Sequence, residues 1–321
     1  MCRIDCSAGT YSSATETTCT ACAAGMYSSA EANTCASCAA GTYQSSSGSS
    51  SCVSCGAGTY SAASGAVQSS ICTACEAGTF STVVGAIAGS TCVPCSAGTY
   101  SVVSGAGTSA ACQACIAGTY SPATGANASS TCIACVAGTY SSAIAASAQS
   151  ACSACMAGTY SAVEGASAAS SCSACAAGMY SADVGATQCS GCPTGQYNGA
   201  TGSTACAACG AGTYNPNTAS TDCEQCPAGK ASAATGAVDA SACQDCAAGQ
   251  AQAAAGQSSC LNCAAGQYSS STGAVSCNDC SPGSYSADDG TRIHIFFLGE
   301  KGSSMVVYIL NLTISVIPFS F

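Results

Sequence analysis

Apolar and polar positions recur in this chain as one short phrase, copied along nearly its whole length. Aligned on cysteine it reads C-x-A-G-T-Y-S-x-x-x-G-A-x-x-x-S-x-C-x-x-C, with clean copies beginning at Cys95, Cys115, Cys135 and Cys155. Thr-Tyr-Ser is a short strand signal. The glycine before it (Gly98, Gly118, Gly138, Gly158) suits a left-handed turn or a close backbone approach. The later glycine (Gly65, Gly85, Gly105, Gly125, Gly165) marks a second turn before the chain returns to the next cysteine. The predicted element is a small irregular hairpin loop. Alanine-rich stretches such as Ile144 to Ala151 have helical propensity, but they are short and lie between cross-links. Short strand and coil are expected there.

The copies are set by cysteine. All 32 cysteines fall into sixteen close pairs, fifteen of them C-x-x-C and one, Cys2–Cys6, C-x-x-x-C, recurring every 16 to 20 residues. First cysteines at 52, 72, 92, 112, 132, 152 and 172 lie 20 apart. Around that block the spacing is 16 or 17, apart from one 20-residue step from Cys223 to Cys243. The shorter copies lack about three residues after the central glycine, which predicts a variable loop tip. Periods this short mean a tandem array in which each unit touches mainly its neighbours.

Tyrosine is the only large side chain in most copies (Tyr11, Tyr27, Tyr43, Tyr60, Tyr100, Tyr120, Tyr140, Tyr160, Tyr180, Tyr197, Tyr214, Tyr268, Tyr285), and Phe80 replaces it once. The position needs a ring more than a hydroxyl. Beside a cystine, that ring is expected to be the miniature core of each module. Ala231 and Ala251 take its place after Cys226 and Cys246, and those modules should be the loosest.

Composition explains why cross-links must dominate. The chain is 48% hydrophobic, but most of that is alanine and cysteine, with five Phe and no Trp. At about 25 cal/mol per Å² of apolar surface, alanine cannot supply a conventional core. Cysteine at this density signals a disulfide scaffold or a dense metal site. Net charge is −10 with only 6% charged residues, and before residue 292 the basic side chains are Arg3 and Lys230. A nucleic-acid binder needs a basic footprint, and so does binding to an anionic membrane surface. Both are excluded for the array. The array contains no histidine, no phosphate-cradling glycine motif and no calcium loop, so neither an enzyme nor a cofactor is expected. Scattered acids (Glu164, Asp183, Asp239, Asp245) read as solubilising surface.

Two cysteines three apart rarely bond each other without strain. The economical scheme joins the second cysteine of one pair to the first of the next. That gives Cys6–Cys19, Cys22–Cys35, Cys38–Cys52, Cys55–Cys72, Cys75–Cys92, Cys95–Cys112, Cys115–Cys132 and Cys135–Cys152. It continues as Cys155–Cys172, Cys175–Cys189, Cys192–Cys206, Cys209–Cys223, Cys226–Cys243, Cys246–Cys260 and Cys263–Cys277, and it leaves Cys2 and Cys280 unpaired. Each bond would close a loop of roughly 15 residues, worth about 3 kcal/mol in the chain-entropy model. The alternative is eight Cys₄ zinc sites, since the spacing also fits a zinc ribbon; each would carry about −2 with almost no cation nearby. A thioredoxin-type motif is weaker still, because it needs a thiolate beside a cation or a helix N-terminus. The expected fold is therefore an elongated rod of small disulfide-rich tandem repeats, short irregular β-hairpin loops with little helix and no large core.

The phrase C-x-A-G-T-Y-S-x-x-x-G-A…C-x-x-C resembles the ephrin-receptor-like cysteine-rich repeats of the growth-factor-receptor and tumour-necrosis-factor-receptor type, over residues 2 to about 291. The resemblance implies extracellular, disulfide-bonded modules found in receptor ectodomains and in surface or secreted proteins. No kinase or ephrin-binding region accompanies them here, so ephrin recognition does not carry over. Receptors that bind protein ligands expose aromatic and arginine anchors, whereas these loops are Ala, Ser, Gly and Thr. A non-enzymatic spacer or adhesion element, meeting a protein or glycan at the cell surface or matrix, is expected ahead of a receptor ectodomain fragment that binds a protein ligand. An intracellular zinc-binding repeat ranks third. Asn127-Ala128-Ser129 is an N-glycosylation acceptor if the chain is secreted.

Both ends break the phrase. Met1 to Cys6 enters the first module without an apolar leader, so the natural chain is expected to extend further. The array is placed at 2–291, in about sixteen modules, and a non-repeat apolar tail at 292–321. Met305 to Phe321 is 17 residues with Asn311, Pro318 and no basic residue after it. An aberrant end, a terminal membrane anchor and a buried β segment are the three readings of that tail. The anchor, or regions beyond the ends, would be the only membrane contact.

Overall fold

The structure, a computed structural model, describes residues 5–13, 16–281, 284–286 and 292–294. The chain divides into two compact units, Met1–Ala154 with Ala162–Ser171, and Cys155–Ser161 with Cys172–Phe321. Both use one module, a two-residue antiparallel hairpin closed by a disulfide. In the first unit Thr99–Tyr100 pairs with Gln113–Ala114, Thr99 opposite Ala114 and Tyr100 opposite Gln113. In the second, Thr213–Tyr214 pairs with Glu224–Gln225 in the same register. The strand forms where Thr-Tyr stands, and its partner is the residue pair enclosed by the next C-x-x-C.

Two-residue hairpins have no independent stability. Neighbouring modules supply it through the main chain. The Gly98 N–H donates to the Ser121 carbonyl (2.8 Å), the Ser101 N–H to the Ala126 carbonyl (2.9 Å), and the Gly125 N–H to the Cys95 carbonyl (2.7 Å). Tyr100 and Ala126 form a parallel bridge. In the second unit Gly195 donates to Asn215 (2.8 Å), Asn215 to Ala237 (2.9 Å) and Gly236 to Cys209 (2.7 Å). Every module owns these groups, so stacking copies leaves buried backbone paired.

Contact then skips a module. Gly118 has φ +85°, and a Cβ there would lie 2.7 Å from the carbonyl carbon of Gly165, two modules on, and closer still to its oxygen. Gly58 meets Gly105 in the same way, and in the second unit Gly195 meets Gly236. The expected nearest-neighbour array is therefore also a second-neighbour array, because a missing side chain lets two backbones touch.

The later glycine position is left-handed too: φ is +72° at Gly105, +68° at Gly125 and +69° at Gly165. Ala145 occupies the equivalent place with φ 55°. This conformation costs an L-residue roughly 1–2 kcal/mol, while glycine loses some of that gain to its freer unfolded state. Ala145→Gly should therefore raise stability by about 0.5–1 kcal/mol. The check is the urea midpoint of the oxidised chain, and a lowered midpoint would contradict the assignment.

The variable segment is not a loop tip. All seven 3₁₀ turns among the described residues, from Ser69–Ile71 to Ala240–Ala242, end directly before the first cysteine of a pair reached by a 20-residue step. The extra three residues form that turn. No α-helix occurs among the described residues, and none there is long and apolar enough to cross a membrane.

Buried side chains are the second cysteines (Cys95 and Cys135, 0% exposed), the alanine after the later glycine (Ala106, Ala126) and the serine after tyrosine (Ser101, 0%). Where its burial is described, the tyrosine is half-buried, or exposed at Tyr27, so the ring is not the miniature core expected of it. The reason is width. Modules joined by direct backbone bonds leave room for a cystine and small groups, and the ring lies outside. The Tyr60 ring reaches the next module's 3₁₀ turn, where a Cβ on Gly89 would sit 3.1 Å from its Cζ. The copies with Ala231 and Ala251 keep the same hairpins, Lys230–Ala231 with Gln244–Asp245 and Gln250–Ala251 with Leu261–Asn262.

Ser284–Ser286 pairs with Arg292–His294, Tyr285 opposite Ile293. Elsewhere the residue opposite tyrosine directly follows a cysteine, as Gln113 follows Cys112. Arg292 thus holds the register place of a cysteine. The readings of Met305 to Phe321 fall outside the described residues.

Candidate functional site

The chemistry-bearing groups of the described residues are cystines. The structure links Cys6–Cys19, Cys22–Cys35, Cys38–Cys52, Cys55–Cys72 and Cys75–Cys92. It likewise links Cys95–Cys112, Cys115–Cys132, Cys135–Cys152, Cys155–Cys172 and Cys175–Cys189. The remaining bonds are Cys192–Cys206, Cys209–Cys223, Cys226–Cys243, Cys246–Cys260 and Cys263–Cys277. Cα–Cα separations run from 5.5 Å (Cys226–Cys243) to 5.9 Å (Cys209–Cys223), within the usual span of a disulfide. The hairpin explains the geometry: its first strand begins four residues after one bonded cysteine, and its second begins directly after the other. Cys280 is free, and Cys2 lies outside the described residues.

The position after tyrosine carries a role that the strand reading of Thr-Tyr-Ser missed. It is buried and polar, as Ser81, Ser101, Asn198, Asn215 and Gln252 show. Asn215, 2% exposed, bonds through both the nitrogen and the oxygen of its amide. Its Nδ2–H donates to the Gln196 carbonyl of the preceding module (2.7 Å), and its Oδ1 accepts from the Asn217 N–H (3.0 Å) and the Ser220 hydroxyl (2.9 Å). Asn198 repeats the arrangement with Met179 and Ser203. Serine does less: Ser101 Oγ accepts from the Val103 N–H, and Ser121 Oγ is buried without a partner. Leaving buried groups unpaired costs about 1–3 kcal/mol each. Asn215→Ala should therefore lower stability by about 2–3 kcal/mol, and Asn215→Ser by less. The urea midpoint reads this, and equal losses from both variants would contradict the bonded role. The signal was present in the sequence as a column that is polar in nearly every copy.

A second missed column is the residue just before each second cysteine. Ala74, Pro94 and Ala134 each face a left-handed glycine two modules on, their Cβ atoms 3.5, 3.4 and 3.6 Å from a Cβ built on Gly105, Gly125 and Gly165. In the same column Gln225 and Asp245 lie against Gly256 and Gly273. Farther along, longer polar side chains are accommodated and pair across the hairpin. Lys230 Nζ lies 3.0 Å from Asp245 Oδ1, both half-exposed, and Gln250 Nε2–H donates to Asn262 Oδ1 at 2.9 Å. Such an exposed ion pair contributes only about 0.2–1 kcal/mol.

Among the described residues, Tyr214 and Asp239 titrate away from their ordinary values. Tyr214 is raised by its hydrogen bond to Glu224 opposite, then by desolvation and by that carboxylate's charge. Its contribution holds below the ordinary tyrosine pKa and is lost as pH rises through the folded one. Asp239 is lowered by hydrogen bonds from the Ser241 hydroxyl and N–H, which cap the turn Ala240–Ala242. That contribution holds above the ordinary carboxylate pKa and is lost as pH falls through the folded one. Asp239 is exposed and Tyr214 half-buried. Asn127 stands exposed at the start of the segment leading to Cys132.

A family model described as tyrosine-protein kinase ephrin type A/B receptor-like matches residues 25–72, 124–172, 166–205, 195–243 and 239–280, more than half of the chain. No curated protein matches the chain.

Proposed function

Because the chain belongs to the ephrin type A/B receptor-like family of cysteine-rich repeats, we propose that it is a non-enzymatic spacer or adhesion element at the cell surface or in the matrix. The observation that carries this reading is the seam between modules. Its recurring bonds run from backbone to backbone, repeat in both units and come with a cystine at each step. A surface assembled that way keeps its form mainly through main-chain groups and cystines that recur from copy to copy. Its loops vary among Ala, Ser, Gly and Thr without a tryptophan to anchor a partner.

Exposed aliphatic side chains favour the second reading, a receptor ectodomain that binds a protein ligand. Val84, Ile116 and Ile144 are 63%, 72% and 71% exposed. The two readings separate on binding. The oxidised full chain, immobilised and challenged with soluble ectodomains at nanomolar concentration, should retain none saturably if it is a spacer. Saturable retention that disappears on reduction and on Ile116→Ser or Ile144→Ser would replace the spacer by the receptor.

A further inference from the structure

We propose that Asn127 is an attachment site for an N-linked glycan, seated on the module that Cys115–Cys132 closes. Sequence supplies the acceptor tripeptide, but two other features decide whether it can be used. The first is access. Asn127 and Ser129 are both exposed, and within the described residues neither side chain is engaged in a hydrogen bond. Asn198 and Asn215 differ in this respect, since their amide nitrogens are buried and donate to the Met179 and Gln196 carbonyls. The second is direction. Ala128 between them is extended, φ −149° and ψ 151°. Residues on either side of an extended residue project to the same face, so the Ser129 hydroxyl stands on the side of the Asn127 amide.

The position also accepts bulk. Its equivalents Val67 and Ile87 are 48% and 58% exposed. The backbone beneath is fixed, because the Ala126 carbonyl accepts from the Ser101 N–H at 2.9 Å and Ala126 bridges Tyr100. The glycan would therefore leave from a rigid step of the array. In the transfer, Asn127 Nδ2 attacks the anomeric carbon of a lipid-diphosphate-linked oligosaccharide. The new N–C bond forms as the C–O bond to the diphosphate breaks, the electron pair leaves on the lipid diphosphate, and Nδ2 gives up one proton to a base of the transferase.

The inference rests on the extracellular reading only for whether the chain meets the transferase, and the test separates the two. The full chain is directed into microsomes by a heterologous signal sequence. Chains with Cys115–Cys132 formed are selected, and the glycan is removed by peptide N-glycosidase in ¹⁸O-water. Most selected chains should carry labelled aspartate at residue 127. The label should vanish in Asn127→Gln and in Ser129→Ala, and persist in Ser129→Thr. An unlabelled residue 127 in disulfide-bonded, translocated chains would overturn the site. If microsomal chains are labelled while the chain in its own cells stays reduced and bare, the extracellular reading fails and the acceptor site stands.

Discussion

Reduction of the oxidised chain should unfold it outright instead of loosening it. Each disulfide spans 13 to 17 residues of sequence, and closing a loop of that size is worth about 3 kcal/mol. Against a whole-domain stability of about 5–15 kcal/mol, losing even two or three such bonds is decisive. The described residues hold little that could take their place. The buried side chains are mostly cysteine, alanine and serine, and the strands are two residues long. Removing one bond, as in the double variant Cys95→Ser with Cys112→Ser, should expose the amides that bind the neighbouring copies. Ser101, which donates to Ala126, and Gly125, which donates to Cys95, are the two to follow. Hydrogen exchange reads both experiments. Full reduction should abolish protection at Ser101 and Gly125, and persistent protection in the reduced chain would show that burial, not cross-linking, holds the modules.

Gly118→Val should cost more than any single surface change, although Gly118 holds no ligand and carries no charge. Two terms add. The φ of +85° strains an L-residue, at about 1–2 kcal/mol. The new side chain also meets the carbonyl of Gly165, a backbone group fixed by the Gly165 N–H bond to the Cys135 carbonyl (2.8 Å), and forcing atoms into such a contact costs about 1–3 kcal/mol. A loss of about 2–5 kcal/mol is expected from these two sources. Gly210→Ala is the control, because a Cβ at Gly210 meets nothing within 4 Å; its effect should stay within about 0.5 kcal/mol. Urea midpoints of the disulfide-intact proteins decide it. Equal effects at the two glycines would remove second-neighbour contact from the account.

These two expectations differ in how far the sequence foretold them. Cysteine spacing made the repeat and its hairpin legible, because strain within a C-x-x-C leaves few ways to close loops. The turns at Gly98 and Gly118 were legible as well, since small residues at a fixed step from cysteine announce φ > 0. What approaches Gly118 was not. A bare backbone can meet any other backbone, and only the folded array shows that Gly165 is the one. Tyr60 failed for a related reason. The pattern marks a ring as the largest group, but the width between modules is set by backbone hydrogen bonds that the pattern does not display. The polar residue after tyrosine was readable and was taken as strand, though Asn215 and Gln252 among the serines show that polarity is what the position keeps.

The most direct test is a non-reducing map of the disulfides. Lys and Arg are absent between residues 4 and 229, so pepsin replaces trypsin, and linked peptides are sequenced by mass spectrometry. Peptides joining Cys95 to Cys112 and Cys115 to Cys132 are expected, and so on through the array. Bonds within a C-x-x-C, such as Cys112 to Cys115, or thiols left free throughout, would contradict that pairing.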